Sequence, residues 1–270
     1  MKIGMIGCGN MGTAIIGGMV KSGAVAANDV FVYDIARDKA EKNAKDFGIV
    51  LKSNIKETIE ASDYVIVAVK PLDVEAMVAE HKSILDKQDK VVISIAAGLK
   101  AAVYRKHLAQ ALIVRAMPNT PMLAGEGATG LYFDGKFSAG QKDNVMKIFS
   151  SCGIAEEVAK EEHLDIVTGL SGSGPAYVYI FISAMVDAAV REGLPRDKAK
   201  KLASQTVLGA AKMTKEALAE GVHPEELKDR VMSPGGTTAA GLYALERGSF
   251  RADIMDAVRA AAQRSRELGG

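Results

Sequence analysis

The 270-residue chain has no tryptophan, only 5% aromatic residues, two cysteines, four histidines and a net charge of +1. Each shortage removes a class of function. So few aromatics leave no base-stacking platform for single-stranded nucleic acid, and a near-neutral charge gives no general pull toward nucleic acid or an anionic membrane. The two cysteines, Cys8 and Cys152, form neither a disulfide framework nor a metal pattern and read as small apolar fillers. His81, His107, His163 and His223 are scattered, with no His or Cys at ligand spacing, so no metal site is expected and all four read as surface or capping residues. Neither HExxH nor a nucleophile elbow occurs. No apolar run reads as membrane-spanning, and a first strand beginning at residue 2 leaves no room for a targeting segment, which makes the chain cytoplasmic by expectation.

What is present is a hydrophobic content of 48% and a charged content of 25%, enough for two domains, each with its own core. Candidate strands cover residues 2–6, 30–33, 64–69, 91–95 and 112–115, with weaker ones at 129–133 and 154–158. The first four are apolar nearly throughout instead of alternating, as strands covered on both faces of a parallel α/β sheet must be. After about residue 163 the pattern turns helical, at 163–193, 196–219, 224–232, 238–247 and 250–268. The stretch 176–190 is apolar over too much of its surface for a lone exposed helix, which suggests burial against a second subunit.

The strand at 2–6 runs directly into Gly7-Cys8-Gly9-Asn10-Met11-Gly12, and helical apolar spacing follows. This is GxGxxG in a strand–turn–helix context, the arrangement that binds a dinucleotide. Gly7 serves the tight turn, Gly9 lets the backbone approach a pyrophosphate, and Gly12 allows close helix–strand packing. The expected architecture is therefore α/β, an N-terminal Rossmann-like doubly wound sheet over residues 1–160 followed by an all-helical domain over 161–270. Asp34 ends the second strand, where a carboxylate accepts hydrogen bonds from a ribose and favours NAD. Arg37, with Lys39 near by, instead offers cations for the 2′-phosphate of NADP, or is merely the solvated first turn of a helix. NADPH or NADH stays open on this reading.

Ala68-Val69-Lys70-Pro71 and Ser94-Ile95-Ala96-Ala97-Gly98 close two further strands at the carboxyl edge where open α/β sheets bind ligands. Lys70 can lie beside a ribose or the nicotinamide, and small residues such as Ala96 admit a flat ring. Asn119, between Pro118 and Pro121, can offer its amide to nicotinamide or substrate, or only cap the turn. In the helical half, Gly172-Ser173-Gly174-Pro175 reads as a helix start, with Pro175 at its first position and Ser173 or Gly174 near the cap. Ser233-Pro234-Gly235-Gly236-Thr237-Thr238 precedes another helix and has the makings of a small-anion site; the bland alternative is a Thr-capped helix. Since the phosphates already have the first glycine loop, a second anion site points to a carboxylate substrate. An alcohol dehydrogenase needs a positioned base, and none stands out here. Reduction of an imine, whose nitrogen can already carry a proton, asks mainly for positioning.

Together with Leu170–Tyr177 and Leu227–Thr238, these motifs resemble the pyrroline-5-carboxylate reductases over essentially the full length. The resemblance implies hydride transfer from NADPH or NADH to the C=N bond of 1-pyrroline-5-carboxylate, giving L-proline in the last step of proline biosynthesis. It implies a homodimer, often gathered into a ring of dimers, whose helical domain completes the active site, with neither nucleic acid nor membrane as partner. By residue, it implies that Ile6, Gly7, Cys8, Gly9, Asn10, Met11 and Ala68 to Pro71 line the dinucleotide, with Asn54 at the adenosine ribose. Ser233 and the backbone of Gly235, Gly236, Thr237 and Thr238 grip the carboxylate, and the Thr238 hydroxyl bonds the ring nitrogen. Many relatives carry a polar, non-acidic residue where Asp34 stands. Two other readings compete. A β-hydroxyacid dehydrogenase would need a lysine on the helix after the linker, and Gly169 to Ile182 contains none. A non-catalytic dinucleotide sensor would have no use for the second anion loop.

Overall fold

In the computed structural model, which describes residues 1–269, runs of β-branched residues form the centre of one sheet of eight strands. These are β1 (Ile3–Ile6), β2 (Val30–Tyr33), β3 (Val50–Leu51), β4 (Tyr64–Val67), β5 (Val91–Ser94), β6 (Leu112–Met117), β7 (Gly127–Asp134) and β8 (Gly153–Glu157). Their order is β3-β2-β1-β4-β5-β6-β7-β8, parallel except where β7 runs antiparallel to β6. The nine-residue connection between β6 and β7 explains the exception: it turns the chain back with a 3-10 segment at Thr120–Ala124, where a parallel return would need a full crossover.

All four residues of β1, β4 and β5 are buried, because each strand packs side chains into two cores, one on either face. Ile3, Met5, Ile66 and Ile93 enter one core, which also receives Ile15, Ile16 and Met19 of the helix Asn10–Lys21. Ile6, Val65, Val67 and Val92 enter the other, with Val74 and Val78 of the helix Pro71–Glu80. The unalternating hydropathy of these strands is the sequence trace of this double burial. Cys152 is wholly buried with its sulfur against the carbonyl of Ala14, and a Cβ on Gly18 would overlap that sulfur. Burial pushes its thiol pKa up, so it packs as an apolar group.

The expected strands form with boundaries moved by one or two residues; of the two weaker ones, the first lengthens to Gly127–Asp134 and the second shifts by one residue to Gly153–Glu157. The edge strand Val50–Leu51 is an addition, too short to leave a periodic signal. The expected uniform helix at 163–193 is instead an α-helical turn at His163–Val167, a π-helical segment at Thr168–Gly172 and the helix Gly174–Arg191. Ser173 is helical, with φ −88° and ψ −23°, and its N–H donates to the Thr168 carbonyl at 2.8 Å. The chain therefore reaches Pro175 through a π turn and not through an extended cap; the wider turn accommodates a residue without an N–H.

The described chain falls into two compact units, Met1–Ser173 with the residues from Val258 onward, and Gly174–Ala257. The first holds the sheet and both large cores. The second has a small core of Val186, Ala199 and Ala203 between the helices Gly174–Arg191 and Arg196–Ala219. Much of its apolar surface faces outward: Ile180 is 72% exposed and Tyr179, Leu202, Leu208 and Met213 are exposed as well. By length and composition His163–Arg191 could cross a membrane, contrary to the expectation that no apolar segment qualifies. Interrupting polar and small residues hide this from a reading of unbroken apolar runs.

Candidate dinucleotide cleft and anion loop

The strand order reverses between β1 and β4, and there, beyond their carboxyl ends, Gly7 and Ala68 leave the sheet. Ala68 N–H donates to Ile6 O and Gly7 N–H to Tyr33 O, both at 2.8 Å, so the loop starts are fixed by their neighbours. Gly7 has φ +106°, and a Cβ there would lie 2.6 Å from Ala68 O; one on Gly12 would lie 2.4 Å from Gly7 O. The fold itself demands those two glycines. Gly9 differs: its backbone is ordinary, with φ −66° and ψ −179°, and a Cβ would meet nothing within 4 Å. Open space above a bare backbone at the start of a twelve-residue helix fits the close approach of a pyrophosphate.

This loop forms one wall of a cleft of about 650 Å³. Ile6, Gly7, Gly9, Asp34, Ala68, Val69 and Lys70 of the expected set line it. Gly12 and Cys8 are buried behind the loop, Asn10 and Met11 open the helix, and Pro71 is the first residue of the helix Pro71–Glu80, with Lys70 as its extended cap. Burial, reinforced by the Asp34 carboxylate, pushes the Cys8 thiol up to about 12, which removes it as a nucleophile. The Asp34 carboxylate is held at both oxygens, accepting from Cys8 N–H at 2.5 Å and Ala36 N–H at 2.8 Å.

Four expected cofactor residues are not part of its lining. Arg37 is outside the cleft, its Nε donating to Glu41 at 2.8 Å, and lines a smaller neighbouring pocket of about 190 Å³. Asn54 caps the helix Ile55–Glu60, accepting from Glu57 N–H and donating to the Glu57 carboxylate. Asn119 is buried with its amide spent inside the protein: Nδ2 donates to Ser171 O at 2.9 Å, and Oδ1 accepts from Ala128 N–H at 2.8 Å. Ala96 is buried, its N–H on the Ser94 hydroxyl. In exchange the cleft gains Ile35 and Leu72, 92% and 93% exposed. Large apolar side chains standing in water at a ligand cleft offer faces to a flat base. Each directly follows a residue already singled out, Asp34 or Pro71, and that position was the available signal.

In the second unit the loop at Ser233–Gly236 is closed by Gly236 N–H donating to Ser233 O at 3.0 Å, with Gly235 at φ +70°. The helix Thr237–Arg247 is capped by Gly236 and by no side chain, so the ordinary Thr-capped helix does not form. Among the described residues, the hydroxyls of Ser233, Thr237 and Thr238 have no hydrogen-bond partner, and the N–H groups of the first turn point out of the helix start. Arg251 braces the segments on either side, bonding Glu225 of the helix Pro224–Arg230 at 3.0 Å and Glu246 at 2.7 Å. Bonds from Lys228 and then Arg251 hold the Glu225 carboxyl down at about 2. His223 caps that first helix, its Nδ1 accepting from Glu225 N–H.

Comparison with known proteins bears on both parts. A family model described as pyrroline-5-carboxylate reductase dimerisation matches residues 161–268, and one described as NADP oxidoreductase, coenzyme F420-dependent, matches residues 2–98. The pyrroline-5-carboxylate reductase of Arabidopsis thaliana is 43% identical over 267 residues, covering 99% of this chain and 95% of that protein. The solved structure of the Coxiella burnetii pyrroline-5-carboxylate reductase superposes with a TM-score of 0.94 at 35% identity, covering 100% of this chain and 98% of that one. The Plasmodium falciparum pyrroline carboxylate reductase, solved with NADP bound, gives 0.85 at 36% identity with the same coverage.

Proposed function

The chain belongs to the pyrroline-5-carboxylate reductase family, and on that premise we propose that Ser233 to Thr238 hold the substrate carboxylate while Thr238 engages the ring nitrogen. The protein is an NAD(P)-dependent oxidoreductase with the function of a pyrroline-5-carboxylate reductase, and it forms a homo-oligomer. The observation that carries the assignment of residues is the start of the helix Thr237–Arg247, which no side chain caps, with unspent N–H groups and hydroxyls in one short loop. Such a start binds a carboxylate through fixed donors and the partial positive charge of the helix.

When bound, the reduced nicotinamide supplies the hydride. The chain's own residues orient the acceptor: the anion loop fixes the carboxylate, and the Thr238 hydroxyl, able both to accept and to donate, suits a nitrogen that changes from iminium to amine. Gly7 to Gly12 would hold the pyrophosphate, and Lys70 would lie beside a ribose or the nicotinamide. Restricting both reactants to one geometry supplies much of the acceleration, without a base to remove a hydroxyl proton. The product is L-proline. We place the dinucleotide domain at 1–160 and the helical domain at 161–270, and the enzyme in the cytoplasm, with neither nucleic acid nor membrane as partner.

The reading is tested by following the absorbance of NADH and NADPH with 1-pyrroline-5-carboxylate, beside a control of a 3-hydroxy acid with NAD⁺. Oxidation of a reduced cofactor that depends on the imine is expected. Reaction with the hydroxy acid alone would move the chain to the β-hydroxyacid dehydrogenases.

The outward apolar surface of the helix Gly174–Arg191 is the face for a second copy, and we propose a homodimer as the unit from which a ring of dimers is built. Ile180→Asp puts a charge where a partner would have to desolvate it, a cost of several kcal/mol. Sedimentation of that variant should shift to a species of one-chain mass. Retention of the full wild-type mass would place the interface elsewhere.

A further inference from the structure

We infer that Asp34 makes this reductase select NADH over NADPH, and that it does so because its carboxylate is fixed in place by the glycine loop; this rests on the dinucleotide reading above. Asp34 is half-buried and lines the cleft at the end of β2. One oxygen accepts from Cys8 N–H at 2.5 Å and the other from Ala36 N–H at 2.8 Å. A free aspartate could rotate away from an incoming 2′-phosphate. This one cannot leave without stripping Cys8 N–H, within the buried loop, of its acceptor. Each oxygen keeps lone pairs for a ribose hydroxyl, so the fixed carboxylate accepts from the ribose of NADH and repels the phosphate of NADPH.

The cations near by do not reverse this. Arg37, the natural clamp for a 2′-phosphate, is paired with Glu41 and lies outside the main cleft, in a smaller pocket that Asp34 and Lys52 also line, so a phosphate held there would meet the same fixed carboxylate. Lys39 does line the cleft. It is a single flexible ammonium, and a phosphate reaching it would lie beside the carboxylate that cannot move. Once Asp34 is neutral, that lysine remains to attract the phosphate, so removing the acid should do more than abolish discrimination.

The test is equilibrium binding of NADH and of NADPH to the full-length protein, followed by nucleotide fluorescence without imine, on the wild type, Asp34→Asn and Asp34→Ser. The wild type should bind NADH about tenfold or more tighter than NADPH. Both variants should bring that ratio to about one or below it. Asparagine can still accept from Cys8 N–H and should keep more NADH affinity than serine; exchange of the Cys8 amide should be faster in the serine variant. If the serine variant does not fold, the wild-type ratio and the asparagine variant still decide. A wild type that binds NADPH as tightly as NADH, or a ratio that neither substitution moves, overturns the proposal. Imine-dependent turnover with NADPH preferred would sink this inference while leaving the reductase reading intact; loss of binding for both nucleotides in the wild type would sink the dinucleotide reading with it.

Discussion

Gly9→Ala is expected to melt close to the wild-type temperature yet bind either dinucleotide at least about a hundredfold more weakly, whereas Gly12→Ala should lose stability first. The two glycines belong to one motif and answer to different masters. At Gly9 the backbone angles suit any residue and a Cβ has nothing within 4 Å, so the folded protein is indifferent to a methyl group there. Alanine also restricts the unfolded chain, a gain of about 0.4–1 kcal/mol that offsets its poorer fit as N-cap of the helix Asn10–Lys21. A pyrophosphate brought against the loop would meet that methyl directly. At Gly12 the same methyl would sit 2.4 Å from the carbonyl oxygen of Gly7, a backbone atom held in turn by the close approach of Gly7 to Ala68. Something must move, at a cost of about 1–3 kcal/mol. For a chain of this size that corresponds to a fall of roughly 2–12 °C. Thermal unfolding by circular dichroism, paired with nucleotide titration of each variant, separates the cases. Wild-type affinity in Gly9→Ala would mean that no phosphate passes over that residue.

The same contrast runs through what the sequence revealed. The central strands and the glycine turn were legible because double burial and a tight turn restrict residue type at every position. The bonds of Asn119 were not, since an amide in a loop looks the same whether it faces a ligand or a distant carbonyl. Asn119 donates to Ser171, fifty-two positions along the chain, and nothing local announces that bond. Ile35 and Leu72 carry no signal of a ligand in their residue type, because an apolar residue beside a strand end or in a first helical turn reads the same whether it packs or stands free, and the structure leaves both in solvent at the cleft. The π turn at Thr168–Gly172 was hidden by Pro175, whose usual place at the start of a helix made a cap the natural reading. The Ser233–Thr238 loop needed both kinds of information. Its composition suggested anion binding, and only the cap geometry removed the alternative in which a threonine satisfies the helix start.

That geometry, with the role proposed for Thr238, sets the expectation for Thr238→Ala: turnover should fall by about a hundredfold or more while the melting temperature stays near that of the wild type. The hydroxyl caps nothing, because Gly236 occupies the cap and no side chain bonds the first turn. Thr238 lies within the first turn, half-exposed, where replacing threonine with alanine changes helix propensity by at most about 0.7 kcal/mol in the favourable direction. Stability therefore has little to lose. Catalysis does, if the hydroxyl accepts from the iminium N–H and later donates to the amine, since the nitrogen then loses its one fixed partner as its charge disappears. A contact of that kind strengthens or weakens along the reaction, so its removal should appear mainly in kcat, while Ser233→Ala, which under the proposal removes a contact made to the carboxylate throughout, should appear mainly in KM. Thr238→Ser restores the hydroxyl without the methyl and should recover most of the rate. Steady-state kinetics on the three variants, each normalised to folded protein, provides the check. A Thr238→Ala enzyme with full activity per folded molecule but a lowered melting temperature would reduce the residue to a structural role, and a loss in KM alone would assign its hydroxyl to the carboxylate.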